Sequence, residues 1–275
     1  QNPAFQHNSR MLKDHYPQVR GLILDMDGVL WQDSRPNGDL PQIFADISAM
    51  GLSFCFATNN ATRSREEVLE KLAGFGVVAQ LDQILTSATA SLKYLSKRFA
   101  PNSQIYVVGT DSLRQEVRAK GFEIVTDEHP SGADVVLVAL DPQITYQKLS
   151  NASTLIRSGA RFIATNTDRT FPTPNGLIPG AGALVAAIAA ASDQEPFVIG
   201  KPQTPLFEQA MDFLGTKPNE TLCVGDRLET DILGGQNAGC LTALVLSGVS
   251  TLEQAQAWNP QPTIIARDLT HLIYD

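Results

Sequence analysis

Leu22, Ile23 and Leu24 follow one another without a polar break, and two acids, Asp25 and Asp27, close the run. An uninterrupted apolar stretch of that length reads as a strand buried on both faces, spanning Gly21 to Met26. Pro41 to Met50 changes period: Ile43, Phe44, Ile47 and Met50 share one helical face, and Gly51 stops the helix. Leu52 to Ala57 is the next strand. Ser64 to Glu67 forms a capping box for a helix with Val68, Leu69 and Leu72 inward, closed by Gly74 and Gly76.

From about Leu85 the scheme restarts. Helices are predicted over Ala88–Phe99, Asp111–Lys120, Tyr146–Ser158 and Ala183–Ala191, and strands over Gln104–Gly109, Phe122–Val125, Asp134–Leu140 and Arg161–Thr165. TNTDRTFPTPNGLIPGAG, rich in turn formers, reads as a loop. The last third alternates again: strands Phe197–Ile199, Thr221–Gly225 and Leu241–Leu246, helices Pro205–Leu214 and Thr230–Asn237, and a final strand and helix over Thr263–Tyr274. Such alternation predicts an α/β fold, a doubly wound parallel sheet of the Rossmann-like kind. The polar segment 1–20 reads as a loosely held N-terminal arm.

Composition narrows the partners. The 275 residues are 43% hydrophobic and 18% charged, with a net charge of -8. An acidic chain argues against nucleic acid as the main partner, because a phosphate backbone needs a basic face. A small anionic substrate needs only a local positive pocket. Cys55, Cys223 and Cys240 match no zinc spacing, and two lie in apolar runs, so they read as reduced, buried thiols. The first twenty residues contain no apolar signal core, and the greasiest run, Ala181 to Ala191, is too short for a bilayer. No membrane role and a cytoplasmic location are the expectation. His7, His15, His129 and His271 fall in no motif.

In doubly wound sheets ligands bind at the carboxyl ends of strands. Four polar clusters follow predicted strands: Asp25 with Asp27; Thr58-Asn59-Asn60; Gly200-Lys201-Pro202; and Gly225-Asp226-Arg227 with Asp231 beyond. Each alone is compatible with an ordinary turn, a surface lysine or a helix-start acid. Together, in this order, they predict one crevice. Asp25, Asp27 and Asp226 would crowd three carboxylates there, and a hard cation such as Mg²⁺ with oxygen ligands is the natural remedy. Lys201 adds positive charge, Thr58 a hydroxyl, and the turn after it backbone N–H groups. That set suits a phosphate group facing a carboxylate nucleophile.

The stretches DMDGVLW (Asp25–Trp31), ATNN (Ala57–Asn60), IGKP (Ile199–Pro202) and VGDRLETDI (Val224–Ile232) resemble the motifs of the haloacid dehalogenase-like hydrolase superfamily. The resemblance is to its large-cap, C2-type branch of p-nitrophenyl phosphatase, phosphoglycolate phosphatase and pyridoxal phosphatase-like enzymes. It implies a catalytic core over 21–84 and 196–275 and an inserted α/β cap domain over 85–195. It implies Asp25 as nucleophile, forming an aspartyl-phosphate, and Asp27 as acid and then base. Mg²⁺ would be held by Asp25, the backbone carbonyl of Asp27, and Asp226. Thr58, Asn59 and Asn60 would bind phosphoryl oxygens, Lys201 would neutralise charge, and Asp231 would orient Lys201 or a metal-bound water. Asn166, Asp168, Arg169 and Phe171 would read the organic part of the substrate from the cap. A homodimer through the cap also occurs in that branch.

The implied function is Mg²⁺-dependent hydrolysis of small phosphate monoesters from a phosphorylated metabolite. A narrower phosphoglycolate or pyridoxal phosphate phosphatase is the near alternative. A non-catalytic phosphoryl-ligand binder is the distant one, and the presence of both Asp25 and Asp27 speaks against it. A dinucleotide-binding dehydrogenase fails because no G-x-G-x-x-G follows the first strand.

Overall fold

The computed structural model describes residues 12–60, 64–173 and 175–274. In chain order its strands are β1 (Gly21–Leu24), β2 (Trp31–Gln32), β3 (Arg35–Pro36), β4 (Ser53–Thr58), β5 (Ile84–Thr86), β6 (Gln104–Val108), β7 (Glu123–Val125), β8 (Val135–Val138) and β9 (Arg161–Ala164). They continue as β10 (Thr170–Thr173), β11 (Gly176–Pro179), β12 (Phe197–Val198), β13 (Thr221–Gly225), β14 (Leu241–Val245) and β15 (Ile264–Ala266). The chain divides into two compact units. One comprises residues 1–57, 65–84 and 207–275, the other 58–64 and 85–206.

The first unit is built on a six-stranded sheet of order β15-β14-β13-β1-β4-β5. β1 is central, parallel to β13 on one side and β4 on the other, and all four of its residues are buried. That double burial is why its sequence is apolar without alternation. From β1 the chain winds outward through β4 to β5, and later returns on the opposite side through β13 to β15. The reversal between β1 and β13 is a topological switch point, where the loops at the strands' carboxyl ends part and leave a crevice. Leu22, Leu24, Phe56, Leu222, Val224 and Ala243 join Ile43, Ile47, Leu72 and Leu272 from the flanking helices in one core.

The second unit has its own parallel sheet, of order β12-β9-β8-β6-β7. Tyr106, Val136, Val138 and Phe162 pack there against Leu155, Ile156, Val185 and Ile188 from two helices, Tyr146–Arg157 and Ala181–Ser192. The fold is therefore α/β, a doubly wound parallel sheet with an inserted α/β domain.

Several local expectations change. Phe197–Val198, read as a strand of the first sheet, pairs with β9 of the second. The expected loop over residues 165–182 contains an antiparallel hairpin, β10 with β11, in which Thr170 and Phe171 pair across to Pro179 and Ile178. Residues 12–20 are docked rather than loosely held: Leu12 and Val19 are buried, and the Arg20 N–H donates to Glu220 O at 2.8 Å. Residues 1–11 of the expected arm lie outside the described residues. The helix expected over Thr230–Asn237 begins earlier, with a π-helical turn at Leu228–Ile232. All three cysteines are buried and none forms a disulfide. Among the described residues, no helix is long and apolar enough to cross a membrane.

Candidate active site

The first unit gathers its acids where β1 and β13 end. Asp25 N–H donates to Val224 O at 2.9 Å, so the β1–β13 ladder carries Asp25 one step past the strand. The chain then turns at Gly28, whose φ is +84°, a left-handed value that favours glycine. A Cβ at Gly28 would lie 2.5 Å from Asp226 Oδ2. Any side chain there would push into the carboxylate that ends β13.

Asp226 is 2% exposed. Its Oδ2 accepts the Val249 N–H at 2.8 Å, and its carbonyl accepts the Ser250 N–H at 3.0 Å. A Cβ on Gly248 would overlap the same carboxylate. Ser247 Oγ donates to Gly28 O at 2.7 Å, so the loop after β14 holds both acid-bearing turns. The π-helical turn that follows brings Asp231 back. Ile232 N–H reaches Arg227 O across five residues at 3.2 Å, and Asp231 Oδ2 accepts the Arg227 N–H at 3.1 Å. π-turns recur at functional sites because they re-aim one side chain within a helix.

Asp25, Asp226 and Asp231 consequently each offer a carboxylate oxygen within 4.8 Å of the others. Two unit charges at about that distance repel by roughly 3 kcal/mol at an effective dielectric near 20. Three such repulsions rival the whole stability of a domain, so the trio favours either a retained proton or a countercharge. Its donors are all hard carboxylate oxygens, which fit Mg²⁺ and do not suit a thiophilic metal. Asp231, expected to orient Lys201 or a metal-bound water, stands among the three. Asp27 does not join them with its side chain. It is exposed, and its Oδ1 accepts the indole N–H of Trp31 at 2.7 Å.

In the second unit, Thr58 ends β4, and its Oγ1 accepts the Asn60 N–H at 3.0 Å. One of the turn donors expected to meet a phosphoryl oxygen thus meets the threonine hydroxyl. The Asn59 side chain clamps the backbone of Lys201: its Oδ1 accepts the Lys201 N–H at 2.8 Å, and its Nδ2 donates to Lys201 O at 2.9 Å. Lys201 itself is 3% exposed. The fit is close, since a Cβ on the preceding Gly200 would lie 2.5 Å from Asn59 Oδ1. Asn59 O in turn accepts from Ser87 Oγ at 2.8 Å and Asn166 Nδ2 at 3.1 Å.

Of the residues expected to read the substrate's organic part, Asn166 is buried and serves this clamp. Asp168 Oδ1 accepts from Asn59 Nδ2 at 3.2 Å. Arg169 is exposed, and Phe171 is half-buried on β10. The sequence reading missed Trp31, Ser247, Gly248 and Ser87. Spacing offered a signal only for Trp31, four residues beyond Asp27.

Comparison with known proteins now places the chain. The family model described as haloacid dehalogenase-like hydrolase matches residues 22–123, and a second, related hydrolase model matches 198–272. The acid sugar phosphatase of Staphylococcus aureus is 35% identical over 93% of this chain and 97% of its own length. The chain belongs to the haloacid dehalogenase-like hydrolase family. Among solved structures of this family, a double mutant of the thermostable NPPase from Geobacillus stearothermophilus aligns with a TM-score of 0.82 and 36% identity, covering 92% of this chain and 97% of that one. The glycerol phosphate phosphatase from Mycobacterium tuberculosis, in complex with magnesium, aligns with a TM-score of 0.86 and 33% identity, covering 97% and 79%.

Proposed function

We propose that this chain is a Mg²⁺-dependent phosphatase that hydrolyses small phosphate monoesters through an aspartyl-phosphate on Asp25. The class of reaction, phosphoric monoester hydrolysis, rests on the family and on phosphatase relatives matched nearly end to end. The observation that carries the finer reading is the carboxylate trio of Asp25, Asp226 and Asp231 at the switch point of the first sheet.

Asp25 supplies the attacking carboxylate oxygen. Asp27 gives a proton to the departing oxygen, then takes one from the water that cleaves the acyl-phosphate. Asp226 and Asp231, with Asp25 and the Asp27 carbonyl, would hold Mg²⁺, which when bound offsets the charge of acids and phosphate together. Thr58, Asn59 and Lys201 are assigned to the phosphoryl group, with Lys201 fixed from behind by the Asn59 amide. Asp168, Arg169 and Phe171 remain the candidates for contact with the leaving group, while Asn166 supports Asn59. The relatives are, by name, an acid sugar phosphatase, a p-nitrophenyl phosphatase and a glycerol phosphate phosphatase. A small phosphorylated metabolite is accordingly the substrate class. Buried, unbridged thiols accord with a reducing, cytoplasmic setting. A homodimer through the cap belongs to the same reading, and sedimentation velocity checks it.

Asp25→Asn tests the nucleophile. Turnover should vanish while circular dichroism stays native; retained turnover refutes the assignment. Removing divalent ions with EDTA should stop phosphate release and Mg²⁺ should restore it. An unchanged rate in chelator refutes the metal role.

A further inference from the structure

The indole of Trp31 is an unlooked-for partner of the acid–base residue. Its Nε1–H donates to Asp27 Oδ1 at 2.7 Å. The two residues are tied through the backbone as well, since the Gly28 N–H donates to Trp31 O at 2.8 Å and Asp27 bridges to Trp31. Trp31 is 2% exposed, whereas Asp27 lies open to solvent. The ring is locked from behind: Phe75 lies 5.7 Å away, and Lys71 Nζ sits 4.0 Å from the indole centroid while donating to Asp33 O at 2.9 Å. A rigid, buried donor therefore grips one oxygen of an exposed carboxylate.

An indole nitrogen can only donate. Oδ1 of Asp27 is thus engaged by a donor, and Oδ2 is the oxygen left to exchange a proton. We infer that Trp31 is a positioning residue for the acid–base step, holding Asp27 by Oδ1 so that Oδ2 serves the leaving oxygen and then the water. In the first step an Asp25 oxygen bonds to phosphorus, the ester P–O bond breaks, and the departing oxygen takes the proton from Oδ2. In the second, water attacks phosphorus and yields its proton to Oδ2. The Asp25–phosphorus link breaks, and phosphate leaves with the Asp25 carboxylate restored. The inference rests on the proposed role of Asp27.

Leaving-group dependence separates positioning from mere scaffolding. A p-nitrophenolate departs readily without a proton, whereas an alkoxide needs one. The quantity to compare is kcat/KM, which ends at formation of the aspartyl-phosphate, for glycerol phosphate and for p-nitrophenyl phosphate. Trp31→Phe keeps an aromatic ring beside Phe75 and under Lys71 but removes the N–H. It should lower kcat/KM for the alkyl ester by about 10- to 100-fold, a fraction of what general acid catalysis contributes, and for the aryl ester by less than about 3-fold. Equal losses on both esters, or no loss, overturn the inference. A sulfur isostere of tryptophan lacking the N–H, placed at position 31, gives the same comparison if Trp31→Phe fails to fold. Asp27→Asn is the companion measurement. If it discriminates between the esters and both position-31 variants do not, the positioning role alone is refuted. If Asp27→Asn fails to discriminate, the acid role of Asp27 falls, and the inference with it.

Discussion

At the scale of single residues, the acid cluster is shaped by what is missing beside it. Asp226 has glycines at 28 and 248, and a Cβ on either would run into its carboxylate. The two absences differ in kind. Gly28 needs its hydrogen both for its left-handed φ and for space. Gly248 is not in the left-handed region, so alanine there meets only the overlap with Asp226. Gly248→Ala should therefore fold, displace Asp226 and weaken Mg²⁺ binding by about 10-fold or more, the usual scale for a disturbed outer shell. Isothermal titration with Mg²⁺ reads this directly, and an unchanged affinity would show that the carboxylate relaxes without cost. Neither glycine's role is visible in the sequence, because the residue each avoids lies about two hundred or twenty positions away along the chain.

At the scale of elements, carboxylates hold both ends of the C-terminal helix Leu269–Tyr274: Asp268 caps its start from the residue just before it, and Asp46 meets its last tyrosine. Partial burial pushes the Asp268 carboxyl up. Hydrogen bonds from the His271 side chain and backbone N–H, with the charges of His271 and Arg267, outweigh it and hold the carboxyl below its ordinary value. The Tyr274 hydroxyl likewise donates to Asp46 at 2.5 Å, which with Gln42 lowers that carboxyl too. A carboxyl depressed on folding stabilises the fold above its unfolded value and loses that contribution as pH falls through the folded one. Asp268→Asn should lower the melting temperature at neutral pH by about 2 °C, and the gap should close below about pH 4. A gap that persists in acid would mean the cap is not ionic. The π-turn at Leu228–Ile232 is the other telling element. The acids at 226 and 231 were legible as a motif, yet a regular helix was expected. The extra residue per turn is selected by the Arg227 N–H closing on Asp231, a contact no periodicity announces.

At the scale of the whole molecule, each unit carries its own parallel sheet and its own apolar core. The proposed metal ligands all belong to the first unit, and its stability should respond to Mg²⁺ by mass action. At a free concentration about 100 times the dissociation constant, the gain should be about 2.7 kcal/mol. Calorimetry with and without Mg²⁺ checks it, and Asp226→Asn should abolish most of the shift. A melting curve indifferent to the ion would argue against the trio as its site.

The sequence by itself determined the α/β class, the winding of strands and helices, and the acids that end β1 and β13. Those follow from local period, and from the rule that ligands gather at the carboxyl ends of parallel strands. It also carried the family, because the motifs are short and contiguous. Only the tertiary structure decided that Phe197–Val198 joins β9, that Asp231 completes the trio, that Asn59 clamps Lys201, and that Trp31 grips Asp27. Each of these is a contact selected by packing and hydrogen-bond satisfaction in three dimensions. The pattern of apolar and polar positions says which face a residue takes, not which distant partner it will meet there.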